Sequence, residues 1–152
     1  MRMDWFSQLI SNKILISGCV AWVAAQILKT IVHAIVNKKI DWPRLIGVGG
    51  MPSSHSATVT AVAATSALSF GLASFQFGVT VIVASIVMHD AMGVRKETGK
   101  HAAILNDMID FFDSMGKDMS PEEKLKVFVG HSPLQVIAGA ALGLAISLAI
   151  KF

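Results

Sequence analysis

The chain has 152 residues, 53% of them hydrophobic and only 15% charged, with a net charge of +3 and a mean hydropathy of +0.61. That balance excludes an ordinary water-soluble domain and places the chain, as a single domain over 1–152, in a membrane. The lone Cys19 excludes an intramolecular disulfide and a cysteine-built metal site, and so small a positive charge favours anionic lipid over nucleic acid as the acidic neighbour.

From the N-terminus, Arg2 and Asp4 with Trp5 and Phe6 form an interfacial lead-in to a first span. The apolar run behind them exceeds signal-peptide length and has no clear cleavage site, so it is expected to be retained. Ile14 to Val36 is of spanning length, interrupted on one helical face by Gln26, Lys29, Thr30 and His33. Polar groups at that spacing point to a pocket in a bundle interior; the simpler alternative is a lysine that snorkels to the interface.

Asn37 to Met51 reads as an interfacial loop with Lys38, Lys39, Trp42 and Arg44. It leads into Gly49-Gly50-Met51-Pro52-Ser53-Ser54-His55-Ser56, where flexible glycines, a capping serine and a helix N-terminus offer an oxyanion cradle. His55 in the first turn is placed to give or take a proton. An ordinary loop into a capped helix has similar text, so this motif alone decides little.

The second span is expected from Ser54 to Phe70, a turn over Gly71 to Ser74, and a third span from Phe75 to Met88. Residues 97–130 form an amphipathic helical insert, in which Ser120, Pro121, Glu122 and Glu123 announce a second short helix. His131-Ser132-Pro133 then starts the last span, Leu134 to Phe152. Its Gly139 and Gly143 suit close helix packing more than a dedicated dimer face, and a homo-oligomer is left open.

Four spans place the His55 loop and the Arg95-to-His131 segment on one side of the membrane. Two helices then begin there, each with serine, proline and histidine at its start, so their positive dipole ends can converge on one anion. Lys29, Arg44 and Arg95 are available to neutralise it. Lysine and arginine are in excess on this side, so it is expected to be cytoplasmic. The expected fold is therefore all-α, an integral membrane helical bundle of about four transmembrane helices with a cytoplasmic insert.

The ordered set Gly-Gly-Met-Pro-Ser-Ser-His-Ser-Ala, Asp-Ala-Met-Gly-Val-Arg, Leu-Asn and Gly-His-Ser-Pro-Leu-Gln-Val resembles the divergent branch of the type-2 phosphatidic acid phosphatases, relatives of the vanadium haloperoxidases. The resemblance implies that His131 attacks phosphorus to give a phosphohistidine, while His55 protonates the leaving alcohol and later helps water attack. It implies that Arg95, Arg44, Gly50, Ser53 and Ser54 hold the phosphoryl oxygens, with Lys29, Lys38 or Lys39 in the place of the family's lysine. Gln135 stands where an acidic partner of the nucleophile is expected, and the segment 96–130 must fold back over the site. The implied substrate is a phospholipid or polyprenyl phosphate or pyrophosphate, with no metal and no other cofactor. Two rival readings remain: a non-catalytic membrane protein that binds anionic lipid headgroups or acts in assembly, and a small transporter using Lys29 and His33.

Overall fold

The computed structural model describes residues 4–39, 42, 47, 49–116, 125 and 130–150, with the side chains of 94–96 excepted. These residues form helices and connections without a strand: α1 (Trp5–Ile10), α2 (Lys13–Asn37), α3 (Ser54–Phe70), α4 (Phe75–Met92), α5 (Val94–Ser114) and α6 (Pro133–Ala149).

Local chemistry sets the boundaries. Asp4, Asn12, Ser53, Ser74 and Ser132 each cap a helix by accepting a backbone N–H three residues on. α2 ends where Lys38 turns left-handed, and α3 ends at Gly71, whose φ of 85° suits a residue without Cβ. The expected second and third segments begin where the structure begins them. The third runs four residues beyond the expected Met88, because the polar residues His89 and Asp90 continue the helix to Met92. After the break at Gly93 the amphipathic helix begins at Val94, earlier than expected. The expected helix start at Ser120 lies outside the described residues, as do Arg44, Arg2 and Lys151.

α3 is the hub. It packs most extensively on α6 and also on α2 and α4, whereas α2 and α4 flank it without meeting each other. The centre is built from small side chains: Ala21 and Ala25 of α2 and Ala57 and Ala61 of α3 are fully buried, with Leu142 and Ile146 of α6 against them. Among the described residues, the fully buried side chains include none larger than Thr65. The large ones point outward instead, with Ile35, Ile82, Ile86 and Ile137 all more than 60% exposed. Burying alanine while exposing isoleucine inverts the order of a water-soluble core, and it is the arrangement hydrocarbon solvent permits.

Among the described residues, two helical runs are long and apolar enough to cross a membrane, Lys13–Asn37 and Phe75–Ser114, and Pro133–Ala149 is a shorter apolar helix.

Gly139 and Gly143 explain the closeness of α3 and α6. A Cβ on Gly139 would run into the Ser53 carbonyl oxygen and meet the Ser56 Cβ at 3.0 Å; one on Gly143 would run into the Ala57 carbonyl oxygen. The pair thus serves packing inside the bundle.

Candidate active site

The loop before α3 and the loop before α6 end side by side. Gly49 and Gly50 both have positive φ, 82° and 86°, which lets the chain turn sharply into Pro52 and the buried Ser53. The Ser53 N–H donates to the Gln135 carbonyl oxygen at 3.0 Å, so the first turn of α6 satisfies the N-cap backbone of α3. The His131 N–H donates to the Ala91 carbonyl oxygen at 3.0 Å, which ties the start of α6 to the end of α4. Three helix ends are thereby locked together by backbone groups.

Two of the sequence-derived candidates meet in this junction. The rings of His55 and His131 stand 5.7 Å apart, centroid to centroid, at an interplanar angle of 63°. His131 is 5% exposed and His55 is half-buried. Imidazoles this close serve the same group if one lies between them.

Gln135 fixes how His131 can act. Its Oε1 lies 3.1 Å from the Ser132 backbone nitrogen and 3.1 Å from His131 Nδ1. A backbone N–H can only donate, so the atom facing it is the amide oxygen and not the nitrogen. An oxygen facing Nδ1 at that distance requires a proton on Nδ1, which in the neutral ring leaves the lone pair on Nε2. The same glutamine is the third residue of a capping box with Ser132, whose Oγ accepts the Gln135 N–H at 3.4 Å. Reading Gln135 only as a replaced acid misses this second duty, although the Ser-x-x-Gln spacing announces it.

The three candidate lysines are placed differently. Lys29 is 2% exposed, and its Nζ donates to Gln26 Oε1 at 2.6 Å and to the Gly47 carbonyl oxygen at 3.3 Å. Lys38 and Lys39 are exposed beyond the end of α2. The polar face of α2 therefore turns inward toward the glycine-rich loop. His33, one turn on, is half-buried and its Nδ1 has no hydrogen-bond partner.

A cavity of about 300 Å³ adjoins His55. Its polar end is formed by Gln26, Gly47, Ser54 and His55, and its apolar walls by Trp22 of α2, Thr58 and Val59 of α3, and Val87 of α4. It lies over the face of α3 left open because α2 and α4 do not touch. These wall residues carry no motif and sequence reasoning did not single them out.

The remaining candidates are distributed as follows. Ser53 Oγ is used in capping and also accepts the Ser56 hydroxyl at 3.1 Å. Arg95 belongs to the first turn of α5, and its side chain lies outside the described residues, as does the whole of Arg44. Asn106 of the Leu-Asn pair grips the backbone of Leu125, donating to its carbonyl and accepting its N–H, each at 3.0 Å. This bond ties α5 to the segment that returns to His131, and only the fold reveals it. Among the described residues no group of three or more histidine, cysteine or acidic side chains is placed to hold a metal ion.

The family model described as the divergent PAP2 family matches residues 10–146. The chain is also 39% identical over 154 residues to the uncharacterized membrane protein YuiD of Bacillus subtilis (strain 168), an alignment covering 95% of this chain and 98% of that protein. No solved structure matches.

Proposed function

Since the chain belongs to the divergent PAP2 family, we propose that it is a membrane phosphatase that removes phosphate from a lipid phosphate or pyrophosphate through a phosphohistidine. The observation that carries this reading is the facing pair His55 and His131 at the joined N-termini of α3 and α6.

In the neutral ring, with its proton on Nδ1, His131 attacks phosphorus through the lone pair of Nε2. The N–P bond forms as the P–O bond to the alcohol breaks, and His55 gives its proton to the departing oxygen. Water then gives a proton back to His55, its oxygen bonds to phosphorus, and the N–P bond breaks to release phosphate. Phosphoryl transfer asks mainly for positioning and charge stabilisation. Lys29 and the two helix N-termini supply positive potential, and Arg95, Arg44, Gly50, Ser53 and Ser54 complete the proposed cradle. Gln135 orients the attacking ring as an acidic partner would, with less stabilisation of the imidazolium.

The cavity supports a lipid substrate. Its Val59, Val87 and Trp22 walls suit the first carbons of a leaving alcohol, and the gap between α2 and α4 faces outward from α3. In the proposed topology α2, α3, α4 and α6 all cross the bilayer, and the site faces the cytoplasm.

The test is phosphate release by the purified protein from phosphatidylglycerophosphate, phosphatidate and polyprenyl diphosphate, beside His131→Ala. Turnover that vanishes in the variant supports the nucleophile; undiminished release rules it out. The neutral Gln135 favours one second reading, a headgroup-binding protein without turnover. Saturable lipid binding with no phosphate release from any of the three substrates would establish it.

A further inference from the structure

One buried side chain on the polar face of α2 has no part in the proposed reaction. Gln26 is 6% exposed and lines the polar end of the cavity beside His55. Lys29 fixes which way its amide lies. An ammonium can only donate, so the atom 2.6 Å from Lys29 Nζ is the amide oxygen, and the NH2 group is the other end. Gln26 Nε2 donates to none of the described residues. A polar group this deep is normally paired, and this one borders a space that a ligand can fill. The ammonium on Oε1 also polarises the amide, which strengthens Nε2 as a donor to an anion.

The cavity has two layers. Trp22 lies one turn from Gln26 on α2, Thr58 and Val59 lie one turn beyond Ser54 and His55 on α3, and Val87 lies one turn before Ala91, whose carbonyl oxygen holds the His131 N–H. The apolar walls therefore stand about 6 Å further into the bundle than the polar end. The Thr58 hydroxyl is spent on the Ser54 carbonyl oxygen. One turn deeper again the space closes, since a Cβ on Gly18 of α2 would meet Val62 Cγ2 of α3 at 2.9 Å. A leaving group that starts at His55 meets the Gln26 donor first and apolar walls second, and then turns out between α2 and α4.

The geometry points to Gln26 as the residue that recognises the leaving group, and to the diphosphate ester of a long-chain hydrocarbon alcohol as the substrate class. This rests on the reading of His55 as the acid beside the departing oxygen. In a diphosphate the attacked phosphorus is the outer one. The bond from it to the bridging oxygen breaks as the N–P bond to His131 forms; the bridging oxygen keeps the electron pair, takes the His55 proton and leaves as part of the lipid monophosphate. The inner phosphate accepts from Gln26 Nε2, and hydrocarbon begins directly behind it, at the depth of Trp22 and Val59. Other leaving groups match this order less well. Phosphatidate brings only neutral ester oxygens, and two chains to one gap. Phosphatidylglycerophosphate sets its second phosphate beyond a glycerol, among the apolar walls, where a charge is costly. A monophosphate of the same long-chain alcohol brings methylene groups to Gln26 and leaves the donor unpaired.

Isothermal titration of the full chain in detergent tests this without turnover. The ligands are a long-chain alkyl methylenediphosphonate and the alkyl phosphonate of the same chain. The parent is expected to bind the diphosphonate about tenfold or more tighter, the equivalent of one charge-assisted hydrogen bond. Gln26→Glu keeps an oxygen for Lys29 and removes the donor, and Gln26→Met removes the donor without adding charge. Both are expected to bring the ratio near unity, whereas a merely loosened bundle would weaken both ligands alike. Equal binding of the two analogues by the parent, or a ratio that persists in Gln26→Met, overturns the inference. Phosphate release keeps the two readings apart. Release from polyprenyl diphosphate without a Gln26-dependent ratio refutes the leaving-group site alone; such a ratio without release from any substrate supports that site and refutes the phosphatase reading alone.

Discussion

Gly139→Ala is the sharpest test of how α3 and α6 hold the two histidines. The new methyl carbon would overlap the Ser53 carbonyl oxygen and press on the Ser56 Cβ at 3.0 Å. Neither neighbour is the far end of a flexible chain, so the helices must separate. Overpacking of this kind costs about 1–3 kcal/mol. Alanine also gains about 0.5–1 kcal/mol over glycine in any helix interior, and Gly78→Ala on α4 isolates that gain, because a Cβ there meets nothing within 4 Å. The difference between the two variants is therefore the overlap itself, which at about 2–4 °C per kcal/mol for a chain of this length amounts to about 2–12 °C in melting temperature. Ser53 is two residues from His55, so the same displacement opens the imidazole pair, and a shift of about 1 Å costs on the order of a hundredfold in rate. The assay is a thermal melt of both variants in detergent together with phosphate release. Equal melting temperatures for Gly139→Ala and Gly78→Ala would refute the packing argument.

Further outcomes follow from the same contacts. Gln135→Leu leaves His131 Nδ1 without its acceptor and is expected to slow turnover on the order of a hundredfold. Gln135→Glu, which keeps an oxygen there and adds charge, is expected to match or exceed the parent; a Glu variant as slow as the Leu variant would remove Gln135 from the orientation of the ring. Lys29→Met is expected to raise KM for a phosphorylated lipid about 10- to 150-fold, the equivalent of a charged hydrogen bond of about 1.5–3 kcal/mol, whereas Lys38→Met leaves KM unchanged. Ser132→Ala removes the α6 cap and is expected to cost about 1 kcal/mol, measured as a lower melting temperature. The Ser7 hydroxyl and backbone N–H hold the Asp4 carboxyl below its usual value. A depressed carboxyl contributes fully above its unfolded pKa and loses that contribution as pH falls through the folded one. The protection of α1 amides against exchange, relative to the intrinsic rate at each pH, is therefore expected to fall under acid, with Asp4→Asn abolishing the dependence.

Much of this arrangement was legible from residue order. Serine before an apolar run located the starts of α3 and α6, because a short hydroxyl side chain reaches back to a free N–H whatever surrounds it. The convergence of His55 and His131 followed from counting apolar segments, and the structure brings the two rings together. The choice between Lys29 and Lys38 was not legible, since both follow apolar text and only packing shows that the α2 face bearing Lys29 turns inward. The double role of Gln135 is half written in Ser-x-x-Gln; the contact with His131 needs the turn itself. The grip of Asn106 on Leu125 joins residues with no shared pattern, so periodicity has nothing to say about it. The walls of the cavity are ordinary valines and a tryptophan, special only because two neighbouring helices fail to meet.

The deep packing of α6 against α3 bears on how the protein is made. α3 emerges from the ribosome well before its main partner, and in the interval Thr58 and Ser66 return their hydroxyls to the Ser54 and Val62 carbonyls of their own helix, which hides those polar groups while the groove stands empty. His131 stands at the start of α6, so a nascent chain that has not yet reached α6 holds one imidazole without the other. The facing pair of imidazoles exists only once α6 has joined α3.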